Sequence, residues 1–99
     1  MYKNKIILIT GASSGLGKNL AMAYAKNGGK IINLSRNPIK IINLNEKLKK
    51  INNIDNIGYS VDVSNYADIL NVKNNLLREN NIPDIIINNA AGNFLCPFE

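Results

Sequence analysis

Four short apolar runs alternate with three longer stretches in which apolar residues recur every three or four positions. The first run, Ile6 to Ile9, is apolar on both faces, which is typical of a strand in a parallel sheet that is covered by helices on both sides. The longer stretches have the period of amphipathic helices that bury one face. This alternation predicts an α/β fold of the order βαβαβαβ, with a parallel sheet and right-handed crossovers.

The boundaries of these elements follow from the ends of each pattern and from residues that start or stop helices. Strands are predicted at residues 5–10, 30–35, 57–61 and 84–88. Helices are predicted at residues 14 or 15–26, from 38 to the loop at 52–56, and at about 65–80. Pro38 suits the first turn of the second helix, and Ser64 is the expected N-cap of the third.

Each helix is expected to bury the face on which its apolar residues are concentrated. For the first helix these residues are Leu16, Leu20, Ala23 and Tyr24, with Ala21 and Ala25 beside them. For the second helix they are Ile41, Leu44, Leu48 and Ile51. For the third helix they are Tyr66, Ile69, Leu70, Leu76 and Leu77.

The chain is short enough to form at most one small domain. In a Rossmann-type doubly wound sheet the strands would lie in the order 3-2-1-4, so that the fourth strand has one edge without a partner. An exposed, isoleucine-rich edge is an aggregation hazard. We therefore expect residues 1–99 to be the amino-terminal part of a single Rossmann-type domain that continues in a longer protein.

A glycine-rich turn joins the first strand directly to the first helix, with the spacing Thr10-Gly11-x-x-x-Gly15-x-Gly17. Amides in the first turn of a helix lack internal partners and carry the positive end of the helix dipole. Glycine lets a phosphate approach these amides closely, so the turn predicts a pyrophosphate site. It is neither a P-loop, since no Gly-Lys-Ser/Thr closes it, nor a Gly-x-Gly-x-x-Gly turn. The alternative is an ordinary tight turn between a strand and a helix.

Ligands of doubly wound sheets bind beyond the carboxyl ends of the strands, where Ser35-Arg36 closes the second strand. A free ribose 2′-hydroxyl usually meets an acidic residue at that position, whereas a guanidinium can bind a 2′-phosphate. The pair therefore favours NADP(H) over NAD(H), the alternative being a surface arginine without a ligand. Asp62 could accept a hydrogen bond from the adenine amino group, with Val63 packed nearby; its alternative role is a helix N-terminal charge.

The composition narrows the classes of function. Lys and Arg number 12 against 7 Asp and Glu, but the excess is spread between apolar positions, which indicates a solvated surface rather than a nucleic-acid site. The single cysteine, Cys96, excludes an internal disulfide, and no histidine is present for metal sites or triads. No apolar run approaches the length of a membrane span. We expect no metal and no nucleic-acid partner.

Through the glycine-rich turn, Asp62-Val63 and Asn88-Asn89-Ala90, the chain resembles the short-chain dehydrogenase/reductase family. The segment that runs from Asn88 through Ala90-Ala91-Gly92-Asn93-Phe94, with Pro97 soon after, resembles the NADPH-dependent 2,4-dienoyl-CoA reductases in particular. The resemblance covers all four predicted strands, but only the cofactor half of a full-length reductase.

The resemblance implies reduction of 2,4-dienoyl-CoA to 3-enoyl-CoA in the β-oxidation of unsaturated fatty acids, with NADP(H) as cofactor and a fatty acyl-CoA as substrate. Arg36 would bind the 2′-phosphate, Asp62 the adenine, and Asn93 and Phe94 the acyl-CoA. Asn93 would donate to the thioester oxygen on which the dienolate charge develops, as in an oxyanion hole. Further cofactor contacts are implied for Gly11, Ala12, Ser13, Ser14, Gly15, Leu16, Gly17, Ser35, Val63, Asn89 and Ala90.

Two departures from the family's pattern keep other interpretations open. Ser64 stands where dienoyl-CoA reductases often carry a basic residue, and residues 1–99 hold no tyrosine and lysine pair suited to proton donation. The alternatives are another short-chain reductase, such as a 3-oxoacyl thioester reductase, or a catalytically inactive nucleotide-binding fragment. The full-length form is expected to be a homo-oligomer. The lack of a presequence favours the cytoplasm of a bacterium or a peroxisomal matrix, and a mitochondrial matrix is a further alternative.

Overall fold

The computed structural model describes residues 3–13 and 15–89, which form a single parallel sheet with helices on both faces. The elements in chain order are β1 (Ile6–Thr10), α1 (Gly15–Lys26), β2 (Lys30–Ser35), α2 (Pro38–Asn52), β3 (Ile57–Ser60), α3 (Tyr66–Arg78) and β4 (Ile85–Asn88). The strand order is β3-β2-β1-β4 and every pairing is parallel. The predicted α/β class, element order and strand order are therefore confirmed.

The sheet separates two hydrophobic clusters because successive side chains of a strand point to opposite faces. On the side of α1 and α2, Ile7, Ile9 and Ile31 pack with buried residues of both helices. On the side of α3, Leu8, Ile32 and Leu34 form the other cluster. The central strands β1 and β2 are thus buried on both faces, as expected for a covered parallel sheet.

The face that α1 buries differs from the prediction. Its buried residues are Gly17, Ala21 and Ala25, whereas Leu16 is 66% exposed and Ala23 is also exposed. The physical reason is that small residues on the inward face allow the backbone of α1 to approach the sheet closely, which larger side chains there would prevent. The prediction was wrong for Leu16 and Ala23, whereas Leu20 and Tyr24 are partly buried and pack against the core as predicted.

Helix α2 buries the predicted face, with Ile41, Leu44 and Leu48 all in the core. Its N-cap is Asn37, whose side-chain oxygen accepts hydrogen bonds from the amides of Ile39 and Lys40 in the first turn. Pro38 occupies the first helical position as predicted.

Helix α3 begins one residue later than predicted, and its buried stripe matches the predicted one only at Ile69 and Leu76. Its N-cap is Asn65, whose side chain accepts from the Asp68 amide, so the predicted Ser64 cap was wrong. The buried residues are Ile69, Val72 and Leu76, which follow the helical spacing of three and four. Tyr66 and Leu77 were predicted to be buried, but they are 51% and 50% exposed because they flank this stripe.

The last strand, β4, is joined to β1 at both of its ends. Before it, the Ile6 amide donates to the Asp84 carboxylate, and the Asp84 amide donates to the Ile6 carbonyl, both at 2.8 Å. At its carboxyl end, the Thr10 hydroxyl donates to the Asn88 side chain at 3.1 Å. These bonds hold the carboxyl ends of β1 and β4 in register beside the glycine-rich turn. No helix within the described residues is long and apolar enough to cross a membrane.

Candidate cofactor site

The glycine-rich turn has the left-handed backbone that its glycines allow. Gly11 has φ of 70° and Gly15 has φ of 58°, a region that costs other residues about 1–2 kcal/mol. A Cβ on Gly17 would overlap the Gly11 carbonyl oxygen and lie 2.5 Å from the Asn89 side-chain nitrogen. The start of α1 is therefore packed against the turn, and only glycine fits at position 17.

Two amides of the turn have partners within the protein. The Gly11 amide donates to the Leu34 carbonyl at 2.8 Å, and the Ala12 amide donates to the Asn33 side chain at 3.1 Å. Ala12 itself is fully buried. These two residues shape the turn against β2, so a phosphate that binds here would meet the amides closer to the start of α1.

Asn33 is a buried polar residue that the sequence interpretation missed. It lies in the centre of β2 with no exposed surface, and its carboxamide contacts Ala12, Ser13 and Ser35. The signal in the sequence was an asparagine inside an otherwise apolar strand. A buried side-chain amide needs hydrogen-bond partners that the strand's own backbone does not supply, so such a residue indicates a polar contact with another part of the fold. Its position between the turn and the end of β2 makes it part of the site.

Asn89 connects the glycine-rich turn to β4. Its amide donates to the Thr10 hydroxyl at 2.9 Å, and its side chain donates to the Gly11 carbonyl at 3.3 Å. The predicted cofactor-binding residue Asn89 thus lies beside the turn and supports its backbone. The predictions for Ser14, Ala90, Asn93 and Phe94 lie outside the described residues.

Arg36 and Asp62 form an ion pair across the carboxyl ends of β2 and β3, with 3.1 Å between Nη2 and Oδ1. The side chains are 77% and 43% exposed, so the pair faces solvent. Hydrogen bonds from the Ser64 hydroxyl and amide, followed by the bond from Arg36, lower the pKa of Asp62 from its ordinary 3.8 to about 2. Ser64, which does not cap α3, therefore keeps this carboxylate ionised and in place.

These elements enclose a cleft of about 380 Å³ at the carboxyl ends of β1, β2 and β3. It brings together six of the residues predicted to bind the cofactor, namely Gly11, Ser13, Ser35, Arg36, Asp62 and Val63. This volume is near the lower end of the roughly 300–1,000 Å³ found for small-molecule sites. The cleft suits one half of a dinucleotide rather than the whole molecule.

Lys40 lines the same cleft and was not predicted to do so. It lies in the first turn of α2, four residues after Arg36, and the Asn37 cap accepts a hydrogen bond from its amide. The signal in the sequence was a second basic residue just past the end of the second strand. Arg36 and Lys40 together outweigh the charge of Asp62, which leaves this end of the cleft positive.

The residues present fit a phosphorylated dinucleotide. The turn offers a helix N-terminus with a close backbone approach, which suits a pyrophosphate. The end of β2 offers a guanidinium and an ammonium rather than the carboxylate that usually binds a free 2′-hydroxyl.

Comparison with known proteins assigns the chain to a family. The family model of the short chain dehydrogenases matches residues 5–99. A peroxisomal 2,4-dienoyl-CoA reductase of Danio rerio is 34% identical over 98% of this chain and 32% of its own length. An NADPH-dependent pterin aldehyde reductase of Arabidopsis thaliana is 33% identical over 88% of this chain and 35% of its own length.

Solved structures agree with this assignment. The L-sorbose reductase of Gluconobacter frateurii, in complex with NADPH and L-sorbose, superposes with a TM-score of 0.85 at 28% identity over 91% of this chain and 34% of its own. A short chain dehydrogenase of Salmonella enterica gives 0.83 at 26% identity, over 90% of this chain and 37% of its own. The chain thus spans about a third of the length of the curated relatives it matches. It belongs to the short-chain dehydrogenase/reductase family.

Proposed function

We propose that this chain is the NADP(H)-binding part of an oxidoreductase that reduces 2,4-dienoyl-CoA. The observation that carries the cofactor assignment is the positive end of the cleft, where Arg36 and Lys40 lie beside the glycine-rich turn. A 2′-phosphate would be attracted there, whereas the unphosphorylated cofactor would gain little from two cations.

NADPH would supply the hydride, while the residues of this chain would hold and orient it. The amides between Ser13 and the start of α1 would bind the pyrophosphate, since those of Gly11 and Ala12 are engaged within the protein. Arg36 has five N–H donors, so it can keep its bond to Asp62 and still donate to a phosphate. The ion pair then orients the guanidinium rather than competing for it.

The proposed substrate is a fatty acyl-CoA with a conjugated diene. The support is the segment 88–94 and the 34% identity to a 2,4-dienoyl-CoA reductase over nearly the whole chain. In this proposal Asn93 and Phe94 contact the acyl-CoA, and Asn93 stabilises the dienolate oxygen. The proton donor would come from a part of the protein beyond residue 99, and the full-length protein would be a homo-oligomer.

Relatives that act on other substrates match this chain about as well as the dienoyl-CoA reductase does. The pterin aldehyde reductase is 33% identical, close to the value for the dienoyl-CoA reductase, so a pterin aldehyde is a competing substrate. A 3-oxoacyl thioester is a further candidate. The proposed location is the cytoplasm for a bacterial protein, or otherwise a peroxisomal or mitochondrial matrix. The support for a peroxisome is the name of the Danio rerio relative, which is a peroxisomal enzyme.

The cofactor proposal is tested by titrating the full-length protein with NADPH and with NADH. We expect tighter binding of NADPH, and we expect Arg36→Ala to weaken NADPH binding about 10- to 100-fold while it leaves NADH nearly unchanged. Lys40→Ala should act in the same direction but less strongly. Equal affinity for both cofactors, or tighter binding of NADH, would contradict the assignment.

The substrate proposal is tested separately, by following NADPH oxidation with a 2,4-dienoyl-CoA, a 3-oxoacyl thioester and a pterin aldehyde. Turnover of the dienoyl-CoA with the highest kcat/KM supports the proposal. A higher kcat/KM for either of the other two would replace it, and NADPH binding without any turnover would favour an inactive binding module.

A further inference from the structure

The carboxamide of Asn33 lies behind two serine hydroxyls of the candidate cofactor cleft. Its oxygen accepts from the Ser35 hydroxyl at 2.6 Å and from the Ala12 amide at 3.1 Å, and its nitrogen donates to the Ser13 hydroxyl at 2.9 Å. Asn33 has no exposed surface, whereas Ser13 and Ser35 line the cleft. The three polar contacts of this buried side chain therefore all lead toward the cofactor site.

The directions of these hydrogen bonds are determined by the Ala12 amide. A backbone amide can only donate, so the oxygen of the Asn33 carboxamide must face it. The Ser35 hydroxyl contacts the same oxygen and must therefore donate its proton to it. The Ser13 hydroxyl contacts the carboxamide nitrogen and must accept, which leaves its own proton for another partner.

The two serines consequently present opposite chemistry to the cleft. Ser13 retains a proton that can be donated to a phosphate oxygen, which only accepts. Ser35 has its proton engaged and offers lone pairs, which suit a hydroxyl that donates. A 2′-phosphate gains nothing from such an oxygen and would be bound by Arg36 and Lys40 instead.

We propose that Asn33 is a positioning residue that fixes Ser13 as a donor to the pyrophosphate and Ser35 as an acceptor from the 3′-hydroxyl of the adenine-side ribose. This inference rests on the proposed NADP(H) site. It gives β2 a role in cofactor binding that extends from its carboxyl end into the centre of the strand.

A double-mutant cycle between Asn33 and Ser13 tests the proposal, with the NADPH dissociation constant of the full-length protein as readout. Asn33→Asp keeps an oxygen for Ala12 and Ser35 but replaces the donor that faces Ser13 with an acceptor. The Ser13 proton must then turn away from the cleft. We expect Ser13→Ala to weaken NADPH binding about tenfold alone, but less than about twofold beside Asn33→Asp.

Other variants keep the proposal testable if Asn33→Asp does not fold, which a thermal melt will show. Asn33→Leu is similar in size and removes the contact to Ser13, so the Ser13→Ala effect should again shrink. Ser35→Ala leaves Asn33 in place and should weaken NADPH and NADH binding by the same factor, because both cofactors carry the 3′-hydroxyl.

The outcomes separate this inference from the proposed function. If the unmodified protein binds neither NADPH nor NADH, both the inference and the proposed function are wrong. If it binds NADPH but Ser13→Ala has the same effect with and without Asn33→Asp or Asn33→Leu, the inference alone is overturned. A Ser35→Ala effect confined to NADPH would also overturn it, because that serine would then bind the 2′-phosphate.

Discussion

Replacement of Gly17 by alanine tests whether the close approach of α1 to the glycine-rich turn is essential. The new Cβ would overlap the Gly11 carbonyl oxygen and press on the Asn89 side chain at 2.5 Å. The Gly11 contact is to backbone, so no side-chain rotation relieves it. The helix and the turn would have to move apart.

The magnitude follows from opposing contributions. Alanine inside a helix stabilises by about 1 kcal/mol relative to glycine. Overpacking costs about 1–3 kcal/mol, and weakening of the hydrogen bond from Asn89 to Gly11 costs a further ~0.5–1.5 kcal/mol. We therefore expect Gly17→Ala to destabilise the protein by about 0.5–3.5 kcal/mol and to weaken NADPH binding as the turn is displaced.

The assay is thermal unfolding of the full-length protein, combined with NADPH titration. At roughly 2–4 °C per kcal/mol for a protein of 150–250 residues, the melting temperature should fall by several degrees. Ala23→Gly, at an exposed position of the same helix, measures the helix-propensity contribution alone. Gly15→Ala measures the left-handed backbone cost, since a Cβ there has nothing within 4 Å. An increase in melting temperature for Gly17→Ala, with unchanged NADPH affinity, would refute the reasoning.

Three further predictions concern the support of the site. Because the pKa of Asp62 is lowered from 3.8 to about 2, its ionised form stabilises the fold above pH ~3.8. The stability difference between wild type and Asp62→Asn should therefore decrease steadily as pH falls from about 4 to 2, and a difference unchanged at pH 2 would contradict this. Gly58→Ala should destabilise the protein by about 1–3 kcal/mol, because the new Cβ would overlap Ile41 Cγ2. The effect should be clearly smaller in the Ile41→Leu variant, which lacks that methyl group, and urea unfolding of Gly58→Ala with and without Ile41→Leu checks this. Asn65→Ala should lower the free energy of unfolding by about 1 kcal/mol through loss of the α3 cap. Ser64→Ala should chiefly raise the pKa of Asp62, which an NMR titration follows. A larger loss of stability for Ser64→Ala than for Asn65→Ala would restore Ser64 as the cap.

The strands and the order of the sheet could be predicted because their information is local and redundant. A strand buried on both faces needs several apolar residues in succession; β1 supplies them without interruption, and β2 does so except at Asn33. The strand order then follows from the alternation of elements and the handedness of crossovers. Arg36 and Asp62 could be placed at one edge of the sheet for the same reason, since both directly follow parallel strands.

The helix faces and the polar network could not be predicted in the same way. An apolar pattern ranks Leu16 above Gly17, yet close packing of α1 on the sheet selects the residue without a side chain. Two of the three partners of Asn33, Ser13 and Ala12, lie 20 and 21 residues away in the chain, so they become apparent only when the turn folds back over β2. The α3 cap shifted because the side chain of Ser64 is engaged by Asp62 and that of Asn65 is available.

The hydrogen bonds that join β4 to β1 affect the order in which the site forms during synthesis of the chain. Gly11 and Thr10 emerge early, but the side chain that holds the Gly11 carbonyl belongs to Asn89, 78 residues later. The glycine-rich turn therefore gains this hydrogen bond only after the fourth strand has been synthesised and docked. Under the proposed function, a dinucleotide that binds only the docked arrangement would stabilise it through linkage, so that cofactor supply would also favour maturation of the nascent chain.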